Sequence, residues 1–139
     1  MSFIYFGIWF AVGFVAALPL LVFAHRLKRR TMTRLMGRSL IAAAIIYIGF
    51  AALWGDAEWL AIETLGVVIY GFFYWLAIKH SDLWIGVGWL LHPVWDVALH
   101  LLGPGSHVAP AWYAVACLSF DFVVAAYIFK RLRSEDSKG

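Results

Sequence analysis

The chain has 139 residues, 64% of them hydrophobic and 14% charged, with a formal net charge of +3. A soluble domain of that length covers its surface with charge, so this balance excludes an ordinary water-exposed globule and fits a protein solvated by lipid. The basic residues stand in a few clusters beside apolar runs, which reports topology rather than nucleic-acid binding, and the single cysteine, Cys117, excludes an internal disulfide.

A spanning helix needs about 20 apolar residues, and the chain offers five such runs with short connections. The first covers about residues 3–24, with Pro19 inside it, and stops at a basic run from His25 to Arg30 that continues through Arg34 and Arg38. No basic residue precedes it and it is too long for a signal-peptide core, so it reads as a retained span. The second covers about 39–54 and ends in a polar turn that includes Asp56 and Glu58. The third covers about 59–78, and a turn from Lys79 to Asp82 offers Ser81 or Asp82 as N-cap of the next helix. The fourth covers about 83–102 and is broken by Gly103, Pro104 and Gly105. The fifth covers about 110–129, with Pro110 suited to a helix start. Residues 131–139 form a polar tail, expected to be disordered.

These readings predict an all-α membrane protein, a single five-transmembrane-helix bundle over residues 1–130. With five spans every basic cluster falls on one side, so the amino terminus is expected outside and the carboxyl terminus in the cytoplasm of a bacterial inner membrane. Trp54, Trp59, Trp84 and Trp112 stand at predicted span ends, as an interfacial aromatic belt requires.

Ionisable residues inside spans are costly and tend to be functional. His92, Asp96 and His100 follow an i, i+4, i+8 spacing on the fourth span. Each step of four turns only about 40° past a full revolution, so the three form a ladder on one face. Pro93 removes a backbone donor beside His92. Glu63 on the third span should lie at a depth near Asp96 and His100, and Asp121 on the fifth near His92. Three helices are thus expected to converge on one site opening to the outer side. A lone buried His–Asp pair can simply bridge two helices, but five ionisable groups at matching depths exceed what packing needs.

Imidazole and carboxylate on neighbouring turns suit a single divalent transition metal such as zinc, iron or manganese. His92, Asp96 and His100 are the expected ligands, with Glu63 or Asp121 completing the shell. Glu63, Asp96 and Asp121 are the candidate catalytic carboxylates. The aromatic content of 18% suggests a cavity for a lipid or isoprenoid-like substrate, with Tyr70, Tyr74, Trp89 and Trp95 as candidate contacts. The expected function is therefore a membrane enzyme acting on a lipophilic small molecule. Two alternatives stand beside it: a metal-free acid/base cyclase or isomerase of terpenoid type, and a proton- or ion-coupled transporter using the His–Asp ladder. A haem held by His92 and His100 is disfavoured because both lie on one helix. Five short spans enclose a small cavity, so a homo-oligomer that completes the site is also expected.

The segment from Gly88 to His100, which reads Gly-Trp-Leu-Leu-His-Pro-Val-Trp-Asp-Val-Ala-Leu-His, resembles a family of small bacterial integral membrane proteins of unknown function. Pro110 to Tyr113 and Cys117 to Asp121, the latter containing Leu-Ser-Phe-Asp, carry the same resemblance, as do Ala61, Ile62 and Glu63. It extends over spans three to five and is weak over span one. The resemblance implies a fold and no activity. The small membrane-bound terpene cyclases, which use buried acids in a helical bundle, are similar only in chemistry.

Overall fold

The computed structural model describes residues 2–138, and every element in them is helical. In chain order these are α1 (Phe3–His25), α2 (Arg29–Trp54), α3 (Ala57–Lys79), α4 (Leu83–Asp96), one turn of π-helix (Val97–Leu101) and α5 (Ala111–Lys138). Helices α1, α2, α3 and α5 are long and apolar enough to cross a membrane. Their outward faces present large apolar side chains such as Ile8, Val22, Leu53, Val68 and Phe72. Water would penalise that surface and lipid does not.

Local chemistry sets several ends. The Asp56 carboxylate accepts from the Trp59 amide at 3.0 Å and caps α3, and the Ser2 hydroxyl accepts from the Tyr5 amide at 3.2 Å and caps α1. Asp82 holds the N-cap position of α4 without capping it. Its carboxylate instead takes a two-pronged contact from the Arg29 guanidinium, at 2.5 and 2.8 Å.

Three expectations are corrected here. Helix α2 begins at Arg29, not near residue 39, because the basic run is itself helical and continues the span. The tail expected to be disordered is helical through Lys138. Arg131 ties it down by donating to the Ala24 carbonyl at 2.6 Å and to the Leu27 carbonyl, which satisfies the open C-terminal end of α1. Arg29 adds an ion pair to Asp136 at 2.5 Å. The fourth segment is not uniformly α-helical: after Pro93 it widens into the π turn, where the Leu102 amide donates to the Val97 carbonyl at 2.9 Å.

The helices form an open ring in the order α1, α5, α4, α3, α2, each packed on the next, while α1 and α2 scarcely touch. Close approach of α1 to α5 depends on a small residue. A Cβ at Gly13 would lie 1.9 Å from the Ala116 carbonyl oxygen, and the Ser119 hydroxyl donates to the Phe10 carbonyl at 2.6 Å across the same contact. Ten of the eleven Lys and Arg residues gather towards one end of the bundle, joined by the Arg29 and Arg131 contacts, with Arg38 further along α2, and the other end carries Asp56 and Glu58. Between the basic end and the middle lies an apolar core of Met32, Met36, Leu40, Ile85, Trp89, Val124 and Ile128.

Candidate functional site: a buried histidine–aspartate cluster beside an apolar cavity

Small and aromatic residues decide which side chains meet behind that core. Trp89 donates its indole N–H to the Met36 carbonyl at 3.0 Å, which fixes α4 against α2 and aims the next turn, His92, at α5. There the His92 Nδ1 lies 2.8 Å from Asp121 Oδ2 and 3.4 Å from Asp96 Oδ2. All three residues are at most 1% exposed. One ligand-type atom from each lies within 4.8 Å of the others, so His92, Asp96 and Asp121 form a group that could hold a metal ion. Both Asp96 oxygens are buried and accept no hydrogen bond. A carboxylate left that way is expensive unless a cation, a proton or a water completes it.

His100 and Glu63 make a separate pair. The π turn swings His100 towards α3, where its Nε2 lies 2.6 Å from Glu63 Oε1. Its Nδ1 faces the Gly105 carbonyl oxygen at 3.1 Å. A carbonyl has no proton to give, so Nδ1 donates, and the short Nε2–Oε1 contact then holds one proton, on one partner or the other. Trp95 donates its indole N–H to Glu63 Oε2 at 3.2 Å, and its ring lies over Gly66, where a Cβ would come within 3.1 Å of it. Tyr47 stacks on His100 with ring centres 4.7 Å apart and meets His92 edge-on at 6.0 Å, so its ring separates the two groups. Its hydroxyl is buried without a partner.

The ladder His92, Asp96, His100 is therefore divided. Asp121 stands with His92 and Asp96 in the position that the sequence reading gave to His100, because the π turn breaks the i, i+4, i+8 face. Of the four aromatic residues expected to contact a substrate, Tyr70 packs its ring edge-on against His92 at 4.9 Å. Tyr74 fills the space over Gly37, and Trp95 serves Glu63. Only Trp89 lines the cavity between α1 and α2. His107 is exposed beside Trp59, and His25 and His80 lie at the basic end.

That cavity, of about 490 Å³, fills the seam that α1 and α2 leave open. Val12, Gly13, Ala16 and Leu20 form one wall and Ser39, Ala42, Ala43 and Ile46 the other. Its floor consists of Trp89 and of α5 residues that include Tyr113, Cys117, Phe120 and Asp121. Asp121 thus belongs both to the cavity and to the buried cluster. Tyr113 carried only the family resemblance and the α1–α2 walls were not singled out in the sequence, since an apolar residue in an apolar span carries no local signal.

The chain belongs to a family of unknown function, DUF6010, whose model matches residues 8–134. No curated protein and no solved structure matches it.

Proposed function

We propose that this member of the DUF6010 family is a membrane enzyme, in which a lipophilic substrate entering from lipid reaches the His92–Asp96–Asp121 cluster through the α1–α2 seam. The observation that carries the reading is the double role of Asp121, which lines the cavity and lies 2.8 Å from His92. Helix α4 and the π turn, of 14 and 5 residues, run on without a break and give a rise of about 28 Å. That is close to the hydrocarbon thickness of about 30 Å, so the segment serves as a fifth span. The basic end then lies in the cytoplasm, and the amino terminus and the cluster's loop side face outward, as in a multi-pass inner-membrane protein.

His92, Asp96 and Asp121 would hold one divalent zinc, iron or manganese ion; this donor set of one nitrogen and two or more oxygens suits all three. Such an ion would supply Lewis-acid polarisation and an activated water. The unsatisfied Asp96 carboxylate is what the ion would complete. The chain's own contribution is to exclude bulk water with the Tyr47 and Tyr70 rings, to orient His92 through the turn that Trp89 anchors, and to present Asp121 to the substrate.

A second reading rests on the 2.8 Å separation of His92 Nδ1 and Asp121 Oδ2, which is a hydrogen-bond length. In a metal-free protein that pair moves a proton to and from a carbon or oxygen of a terpenoid-like substrate, as in a cyclase or isomerase. A proton or ion pathway is less well supported, because the apolar core around Met36, Leu40 and Trp89 lies between the cluster and the basic end.

Elemental analysis of the purified protein separates the two enzyme readings. About one transition metal per chain, lost in His92→Ala and in Asp96→Ala, supports the metal centre. Folded, metal-free protein that takes up no ion when zinc, iron(II) or manganese is supplied would sink it and leave the acid/base form.

A further inference from the structure

The shape of the cavity narrows the substrate class. Its α5 floor runs from Trp112 to Asp121, a rise of about 13 Å. Small side chains, Gly13 and Ala16 on α1 and Ala42 and Ala43 on α2, leave a slot between the larger Val12, Leu20 and Ile46. The cavity of about 490 Å³ and its length along α5 leave room for a hydrocarbon chain. The polar residues among its lining are Ser39, Tyr113, Cys117 and Asp121, and Asp121 alone is acidic.

We infer that the slot binds one extended alkyl or prenyl chain, threaded between α1 and α2, with a neutral hydrogen-bond-donating head such as a hydroxyl placed at Asp121. This rests on the enzyme reading for its purpose but not for its geometry. Two carboxylates share one histidine at the slot's end, so an anionic head meets like charge and a hydroxyl meets an acceptor. The apolar walls supply affinity in proportion to the chain length they cover, roughly 0.8 kcal/mol per buried methylene. Binding should therefore tighten with chain length and level off when the chain outgrows the slot.

Trp89, Trp112 and Cys117 line the slot and mark it for mapping. The experiment photolyses a diazirine-bearing hexadecanol with full-length, chelator-treated protein and measures, by mass spectrometry, its labelling of peptides that carry these residues. The protein is held in a steroid-based detergent whose rigid rings cannot enter the slot. Primary alcohols from octanol to hexadecanol, farnesol, and the matching fatty acids are the competitors. Labelling is expected to fall at least tenfold with alcohols, the protection to improve with length and then level off, and to respond less to acids of equal length. Ala43→Trp, which fills the slot from α2, should abolish the slot labelling, and Ala16→Leu, which fills it from α1, should do the same if the first variant fails to fold. Absence of labelling without competitor, protection without length dependence, or stronger protection by acids would each overturn the inference. The two readings fail separately: protection in a protein that turns over none of these compounds sinks the enzyme, and a metal centre or turnover without protection sinks the slot.

Discussion

His92 and His100 stand two helical turns apart on one segment, each 1% exposed and each against a carboxylate from another helix. Their surroundings differ. His100 has a backbone carbonyl on one nitrogen and Glu63 on the other, and Glu63 has the Trp95 indole on its second oxygen. His92 shares one nitrogen between two aspartates, at 2.8 Å from Asp121 and only 3.4 Å from Asp96. The first group is closed upon itself and ties the π turn and the Gly105 loop to α3. The second is open, and it is the one that meets a cavity. The same residue types at similar depth thus serve as a bridge in one place and as a candidate reaction centre in the other. What distinguishes them is how closely each carboxylate is held: Glu63 lies 2.6 Å from His100 and takes the Trp95 indole, while Asp96 has only a 3.4 Å approach to a nitrogen that Asp121 holds more closely.

That contrast can be broken by experiment. Glu63→Ala should show the largest effect, a loss of about 3–5 kcal/mol in denaturant unfolding in detergent, because it strands His100 in a closed apolar site. A double variant, Glu63→Leu with His100→Phe, should recover most of that loss. If Glu63→Ala unfolds like the parent, the pair is not a bridge. Next, a divalent metal at one hundred times its dissociation constant should stabilise the parent by about 2.7 kcal/mol, seen as a raised Tm, and should leave Asp121→Asn unmoved. An equal shift in both proteins would place the ion elsewhere. Asp96→Leu should act in the opposite sense to Glu63→Ala and stabilise the metal-free protein by about 1–2 kcal/mol, since it removes a buried carboxylate while His92 keeps its closer partner, Asp121. Destabilisation there would mean that Asp96 is paired after all. The smallest change is expected far from both groups: Arg131→Ala should cost about 1 kcal/mol by uncapping the end of α1. It should appear as faster amide exchange confined to the junction of α1 and α2 and the last turns of α5.

The helices themselves were legible because a lipid-facing span must be continuously apolar, and a span is a local property of the chain. Glu63, Asp96 and Asp121 were legible for the same reason, as acids where apolar residues prevail. What misled was the regular helix assumed for the fourth segment. A residue at i+8 shares a face only while the backbone keeps its turn, and the π turn after Pro93 takes His100 off that face. The tail misled in a similar way, because its polarity hid a tertiary anchor in Arg131 and the α1 carbonyls.

By itself, then, the sequence determined that the chain is helical and suited to lipid, where its long apolar runs lie, and which few ionisable residues are buried. Each of these follows from spacing along one helix and from the cost of charge in an apolar medium. Only the tertiary structure decided that Asp121 rather than His100 joins His92 and Asp96, that Glu63 closes the other pair, and that a slot between α1 and α2 ends at Asp121. Those outcomes depend on how closely helices approach across Gly13 and Gly66 and on a single turn of altered pitch. Helix periodicity does not encode either one.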